Sequence, residues 1–303
     1  MAKQFVTIFI PTYNDCLDLS ACIESIRCLD YPKQSMEILI WDNSSQDNTI
    51  QMVRKQFLKM KEEGWSNLSL IEWNKNDGSY IPYNLGLQHM SPRTEFILGL
   101  DADVELEPAT LLSLIDACKD DQVATVGARS VYYDFPERTA HGAGFVNLWI
   151  GSYSEKDTQK GIECDYVIGC CWLLKKAIFE ELGGFDPDYY INQWEVDYCL
   201  RAKKNGYKII YEPKAIALHK IPDMGTRNPE RLYYLYRNKL LLIEKNATFL
   251  QKLTSLTLYT LFWLPKIIRD SFRVNKRINA EEIKVIMKAI YHGIIGRVGK
   301  QKI

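Results

Sequence analysis

Asp101 and Asp103 stand one residue apart, directly after the apolar run at residues 95–100 (EFILGL). Such a run reads as a buried β-strand, so its end delivers both carboxylates to the edge of a core. Burying a single unpaired carboxylate is expensive, and two need a cation or hydrogen-bond donors. Hard oxygen ligands in that place suit Mg²⁺ or Mn²⁺ holding a diphosphate. A D-x-D triplet also serves as a helix cap, and Glu105 and Pro108 do precede a helical stretch. Its place at the end of an apolar run favours the metal. Asp42 ends a second such run, residues 37–41 (EILIW), and opens the polar stretch 42–49 (DNSSQDNT). A carboxylate there can accept from the imide N–H of uracil or thymine, or from the N–H groups of guanine. Asp47, further into the same stretch, fits an ordinary turn and N-cap. Two more acids, Glu195 and Asp197, open a helical pattern. Acids favour that end of a helix.

The elements that must position these groups alternate in type. Residues 5–10 (FVTIFI), 37–41, 68–73 (LSLIEW) and 95–100 read as buried strands. Between them lie helical spacings: Leu17, Leu19, Cys22, Ile23 and Ile26, then residues 48–60, then 83–90. This order predicts a doubly wound, mostly parallel α/β sheet with flanking helices. Ligands bind such sheets beyond the carboxyl ends of the strands. Those ends carry Thr12-Tyr13-Asn14, Asp42-Asn43-Ser44 and Asp101-Ala102-Asp103. In the second half, residues 110–118, 177–182 and 195–205 read as helices, and 123–128, 167–174 and 208–211 as strands. Gly183-Gly184 and Gly206 are helix stops. Residues 231–244 form a long helical pattern, followed by a twelve-residue apolar run at 253–264 (LTSLTLYTLFWL). A helix that spans a bilayer needs about 20 apolar residues, so this run is too short. The reading divides the chain into a catalytic unit at 1–220 and a helical, basic extension at 221–303. Within the first, residues 1–103 form a nucleotide-binding half and 104–220 an acceptor half.

The chain has 303 residues, 47% hydrophobic and 25% charged, which is ordinary globular composition. Its net charge of zero argues against a nucleic-acid binder, but residues 264–303 hold ten Lys or Arg against three Asp or Glu. Such a tail fits an anionic surface, a membrane leaflet or a charged glycolipid, and equally a solvated helical face. The eight cysteines form no C-x-x-C pair. A reducing cytoplasm is the simplest expectation, with a peripheral place on the inner face of the cell membrane left open by the tail.

The segments VTIFIPTYND, ILIWDNSSQDNT, YNLGLQ, FILGLDADVELEP, GFDPDYYINQWEVDYCLRAKKNGYKI and ALHK, in this order and spacing, resemble the family 2 glycosyltransferases of the GT-A fold. The resemblance covers most of the first 220 residues. Residues 231–246 (RLYYLYRNKLLLIEKN) look like the segment that follows in bacterial members building surface polysaccharide, rhamnosyltransferases among them. It implies an inverting, metal-dependent enzyme that moves a sugar from a nucleoside-diphosphate sugar to a hydroxyl of a glycan or glycolipid. By resemblance, Pro11, Thr12, Tyr13, Asn14, Asn84 and Ala102 lie on the donor side. Asp42 meets the donor base, Asp101 approaches the ribose, and Asp103 binds the divalent cation, Mn²⁺ or Mg²⁺. His219 matches a later His that adds a metal or phosphate contact. The family's E-D-x-D pattern falls on Trp194-Glu195-Val196-Asp197. Its second position is the base, so Glu195 is the candidate and Asp197 the alternative. Trp194 departs from the pattern, and Glu195 is one methylene longer than the usual Asp. Gly169, Cys170 and Trp172 form the acceptor floor. Trp172 and Trp194 could stack on a sugar, although core packing is the commoner role of Trp. His141-Gly142-Ala143-Gly144 is explained by a simple turn.

UDP-, dTDP- and GDP-linked donors all remain open, with rhamnose mildly preferred by resemblance. A nucleotidyltransferase would need a Gly-rich phosphate loop where Pro11-Thr12-Tyr13-Asn14 stands. Transfer onto a polyprenyl phosphate would bring membrane spans that the sequence lacks. The alternative from another class is a non-catalytic nucleotide-sugar-binding subunit, for which the replaced acid at Trp194 is the one argument.

Overall fold

The computed structural model describes residues 3–78, 81–221, 228–263, 265, 269 and 280–301. In its first part, β1 (Val6–Thr12), β2 (Met36–Asp42), β3 (Leu68–Glu72) and β4 (Phe96–Leu100) alternate with α1 (Cys16–Arg27), α2 (Thr49–Glu62) and α3 (Ile81–Gly86). Next come β5 (Val104–Leu106), α4 (Thr110–Ala117), β6 (Val123–Tyr132), β7 (Phe135–His141), β8 (Ala143–Asn147), β9 (Ser152–Lys156), β10 (Ile162–Cys164), β11 (Cys171–Lys175), α5 (Lys176–Glu181), α6 (Trp194–Lys204) and β12 (Lys208–His219). The chain closes with α7 (Pro229–Asn246), α8 (Phe249–Leu258), a π-helical turn at Tyr259–Trp263, and α9 (Ala280–Ile294).

The main sheet runs β10-β12-β6-β11-β4-β1-β2-β3, with β5 on β12 and β7 on β6. Strands β4, β1, β2 and β3 are mutually parallel, as are β6 and β12, while β11 runs antiparallel to both of its neighbours. Each strand of the buried set has apolar residues on both faces, which is why its sequence is a continuous run rather than an alternation. Val6, Ile8 and Ile10 pack towards α1, α2 and α4. Phe9, Leu39 and Trp41 pack towards α3, α5, α6 and α7. Parallel pairing in step brings Thr12 opposite Asp42. The expected doubly wound, mostly parallel sheet is therefore present.

Several boundaries differ from the sequence reading. Residues 167 and 168 are irregular, Gly169 and Cys170 form a turn, and the strand expected at 167–174 begins only at Cys171. The strand expected at 123–128 continues to Tyr132. Residues 208–211 and the run ending at His219 are one strand, whose register breaks between Glu212 and Ile216 at Pro213, which cannot donate to the ladder. The helix expected at 83–90 is α3 plus a 3₁₀ turn at Leu87–His89. Strands β7, β8, β9 and β10 were not anticipated, because most of their side chains are only partly buried and leave no apolar alternation. The basic stretch at 264–279 lies almost wholly outside the described residues. Among those described, no helix is long and apolar enough to cross a membrane.

Gly99 on β4 shows how tightly the aromatic side of the sheet is filled. A Cβ there would stand 2.4 Å from Trp172 Nε1 and 2.7 Å from the Tyr83 hydroxyl. Overpacking of this kind costs about 1–3 kcal/mol. Gly99→Ala is therefore expected to lower stability by that amount in a urea titration, and because Gly99 is not left-handed the loss would come from overpacking and not from backbone strain.

Candidate active site

The ends of β1 and β2 build the first wall. The N–H of Asn43 donates to the Thr12 carbonyl at 2.9 Å and extends the pairing past the strands. Asp15 accepts from the Thr12 hydroxyl at 3.0 Å and the Tyr13 N–H at 2.9 Å, which folds the Thr12–Asn14 loop back on itself. Asn14 holds φ at 58°, a left-handed conformation that Asn tolerates. Its side-chain oxygen accepts from the Gln46 N–H at 2.7 Å and ties this loop to the next. Asp42 is buried. One of its oxygens accepts from the Ser45 N–H at 2.9 Å, and the other is buried with no partner. An open acceptor at this strand end is what a base N–H would need.

Pro11, Thr12, Tyr13, Asp15 and Asn43 line a cleft of about 290 Å³ that also contains Asp101. Its far wall is Asn76, Gly78, Tyr190, Ile191 and Glu230, none of which sequence reasoning singled out. Asn76-Asp77-Gly78 did carry a signal, being a turn tripeptide just past a strand end. Gly78 has φ of +90°, and a Cβ there would meet the Tyr190 carbonyl at 2.8 Å, so only Gly lets the two loops touch. Tyr190, Ile191 and Glu230 reach the cleft through long-range packing and left no local mark.

The metal-ligand candidates converge. Asp101 follows β4, whose Leu100 pairs with Cys171, and its N–H donates to the Cys170 carbonyl at 2.9 Å. Two residues later the chain enters β5, which pairs antiparallel with the end of β12 so that His219 lies opposite Val104. That register sets His219 Nε2 3.4 Å from an Asp103 oxygen. One ligand atom from each of Asp101, Asp103 and His219 falls within 4.8 Å of the others. Desolvation and then the Asp103 charge push the Asp101 carboxyl up to about 7, against the pull of His219. Burial pulls the His219 ring down, but the Asp103 carboxylate and the Cys170 thiol outweigh it and hold the ring near 10. The buried Nδ1 of His219 has no hydrogen-bond partner. Two carboxylates and one imidazole, crowded and incompletely satisfied, fit a divalent cation.

Glu195 and Asp197 lie two residues apart on α6, so they cannot face the same way on a helix. Glu195 is the one at the site. One of its oxygens is buried without a partner, and its charge is felt at Asp101. Desolvation pushes it up to about 7, offset in part by its own N–H and by His141. Asp197 is fully buried and accepts from Arg201 Nε at 2.8 Å, Asn246 Nδ2 at 2.8 Å and the Tyr189 hydroxyl at 3.3 Å. It is committed to holding α6, α7 and the loop between α5 and α6 together. Just before Glu195, Asn192 and Gln193 both adopt left-handed φ values of 64° and 68°. Such residues cost about 1 kcal/mol or more each unless the surroundings hold them. Asn238 on α7 does so, donating to the Ile191 and Asn192 carbonyls at 2.6 and 2.9 Å.

The model of glycosyl transferase family 2 matches residues 7–183, more than half of the chain. The chain belongs to this family. It is similar to the dTDP-rhamnosyl transferase RfbF of Shigella flexneri, 24% identical over 253 residues that cover 78% of this chain and 79% of that one. It is also similar to the dolichyl N-acetyl-α-D-glucosaminyl phosphate 3-β-D-2,3-diacetamido-2,3-dideoxy-β-D-glucuronosyltransferase of Methanococcus voltae. That relative is 30% identical over 218 residues, covering 71% of this chain and 66% of the relative. Among solved structures, the mannosyltransferase PcManGT from Pyrobaculum calidifontis, in complex with GDP-Man and Mn²⁺, superposes with a TM-score of 0.64. The two are 16% identical, and the match covers 98% of this chain and 88% of that one. The protein is thus a family 2 glycosyltransferase with the GT-A fold, and its Asp-x-Asp-with-His cluster has the ligand atoms that a divalent cation would need.

The remaining candidates of this family 2 glycosyltransferase separate into contact and support. Asn84 is engaged twice with Phe185, donating to its carbonyl at 2.7 Å and accepting from its N–H at 2.8 Å. It braces α3 against the loop before α6 rather than facing the cleft. Trp172 is fully buried, stacked on Phe185 at 5.4 Å. Trp194 is buried edge-on to the same ring at 4.5 Å, with Gly169 leaving room for it: a Cβ there would stand 3.2 Å from the indole. Neither indole offers a face to a sugar, which corrects the stacking role considered for them. A packing residue has taken the place of the pattern's first acid. Cys170 is buried beside His219, and Ala102 is buried between the two aspartates. His141, read as part of a simple turn, instead ends β7 with its ring 6.4 Å from His219 and its Nδ1 3.3 Å from Glu155.

The two acids of α6 should respond differently to substitution. Asp197→Ala strands Arg201 and Asn246 and is expected to cost about 3–5 kcal/mol. Glu195→Gln removes a poorly solvated charge and should leave the denaturation midpoint unchanged or raise it. Urea titrations of both variants check this.

Proposed function

We propose that this glycosyltransferase works with inversion at the anomeric carbon, depends on a divalent cation for turnover, and uses Glu195 as its base. The observation that carries the reading is the cluster of Asp101, Asp103 and His219 at the edge of the cleft, together with the open oxygen of Glu195, whose charge reaches Asp101. A bound divalent cation there supplies neutralisation of the charge that grows on the departing nucleoside diphosphate. The imidazole in the donor set favours Mn²⁺ over Mg²⁺, a harder ion that keeps to oxygen.

In this reading the chain's own residues divide the work. The open oxygen of Asp42 accepts from the donor base. The Thr12–Asn14 loop and the Asn76–Gly78 turn hold the nucleoside from two sides. Glu195 takes the proton of the acceptor hydroxyl as its oxygen bonds to the anomeric carbon. The bond from that carbon to the diphosphate oxygen breaks on the opposite face, and its electron pair leaves with the nucleoside diphosphate. The committed hydrogen bonds of Asp197 argue against it as the base. Residues 1–103 serve the donor, 104–220 the acceptor, and 221–303 form the extension. UDP-, dTDP- and GDP-sugars are all candidates, and the rhamnosyl relative puts dTDP-rhamnose first. The Methanococcus relative's name supports a lipid-linked glycan as acceptor.

The test is nucleoside diphosphate release from a donor panel, with Mn²⁺, Mg²⁺ or EDTA, followed by NMR of the product's anomeric configuration. Release is expected with Mn²⁺ and not with EDTA, and a retained configuration would overturn the mechanism. Glu195→Gln should lower kcat by about 10²–10⁴-fold while donor affinity by calorimetry stays unchanged.

The pH profile gives a separate check. The base must be ionised and its carboxyl titrates near 7. The rate should therefore fall about tenfold per pH unit below that point and level off above it. A profile flat from pH 5 to about pH 8 would remove Glu195 from the role.

A further inference from the structure

Away from the cleft, α8 and the π-helical turn after it present an uncharged outer face. Phe249 is 78% exposed, and Leu250, Leu253, Leu256, Leu261 and Phe262 are exposed with it. Single exposed apolar residues need no explanation, whereas a contiguous set of this size does. The hydroxyls among them are turned inward along the helix. Thr254 donates to the Leu250 carbonyl at 3.1 Å and Thr257 to the Leu253 carbonyl at 2.8 Å. Such back-bonding hides the polarity of Thr. The one charge in the stretch, Lys252, is paired with Glu244 at 2.7 Å. No Asp or Glu occurs between Glu244 and Asp270.

This face belongs to a well-seated element. A capping box of Thr248 and Gln251 fixes the start of α8. Ser255 donates to the Leu148 carbonyl, and Tyr259 packs with Leu240, Ile286 and Ile290. The Ser255 contact places α8 on the tip of the β8–β9 hairpin, where Trp149 and Ile150 are exposed in turn. The other end of that hairpin reaches the acceptor side. At that end Gly144 bridges to Tyr166, whose hydroxyl feels the charge of Glu195. Five residues of strand separate the two ends, about 17 Å.

We infer that this face docks on an anionic lipid bilayer and that the acceptor is presented there, its lipid in the membrane and its terminal sugar at Glu195. The second half of the inference rests on the proposed transfer reaction. A bilayer suits the face better than a protein does, because it has almost no polar group with which a partner could be specified. The excess of seven positive charges in residues 264–303 complements an anionic leaflet. Trp149 stands at the rim, where indoles favour the membrane interface. The stretch is too short to cross, so it lies in the plane of the surface.

The experiment is co-sedimentation of the full chain with vesicles of phosphatidylglycerol and phosphatidylcholine, or of phosphatidylcholine alone. Wild type is expected to bind the anionic vesicles and to bind the neutral ones about tenfold less. Leu253→Glu/Phe262→Glu should lose about tenfold or more of the anionic binding, with circular dichroism and nucleoside diphosphate release on a lipid-free acceptor unchanged. A variant that sediments like wild type, or a wild type that ignores both vesicles, overturns the docking. So does a wild-type dimer in the ultracentrifuge that the double variant dissolves without vesicle binding, which would assign the face to a second copy. Should vesicle binding behave as expected while no donor gives transfer, the docking stands and the reaction falls. Transfer to a lipid-free acceptor without any vesicle binding sinks the docking alone.

Discussion

Like charges resist being held together, and the sheet holds Asp101 and Asp103 together at the end of a buried strand. Most of what surrounds them makes this tolerable. The backbone is pinned on both sides, by the Asp101 N–H on Cys170 and by the Lys220 N–H on the Asp103 carbonyl. The return of the chain through β5 brings an imidazole from β12 to within 3.4 Å of Asp103. At the rim, Lys220 pairs with Glu105 at 2.9 Å and Asp18 at 3.2 Å and so balances these two acids, while Glu195 and Asp15 still add to the repulsion at Asp101. What remains uncompensated is concentrated at the point where a cation and a diphosphate would settle it.

The donor side was legible in the sequence for a physical reason. Strands buried on both faces are continuous apolar runs, so a carboxylate at the end of one stands out, as Asp42 and Asp101 do. The parallel register then guarantees that such ends meet. The partnership of His219 with Asp103 was not legible in that way. It depends on β5 and β12 pairing across more than a hundred residues, and only family resemblance pointed to it. The hairpins between Phe135 and Cys164 escaped notice because they are half solvated, and His141 escaped with them. Trp194 was ambiguous, since an indole serves equally as a stacking platform and as a core filler. The ring of Phe185 beside it decides for the core.

The neighbouring acids of α6 show how one helix turn divides labour. The face bearing Asp197 is saturated with donors from Arg201, Tyr189 and Asn246, and it fixes the position of the helix. The face bearing Glu195 is left short of partners, and its proton affinity rises accordingly. Rigidity on one side and unmet hydrogen-bonding capacity on the other are two outcomes of the same fold.

Asn238 and Asn246 give the part of the chain beyond β12 an unexpected place in this division. Both sit on α7, yet one restrains the left-handed residues ahead of Glu195 and the other grips Asp197. The loop that leads into Glu195 is therefore braced by a helix from beyond β12. Chimeras that graft the sheet of one relative onto the tail of another would inherit mismatched bracing unless α7 travelled with α6, and recombination in evolution faces the same seam.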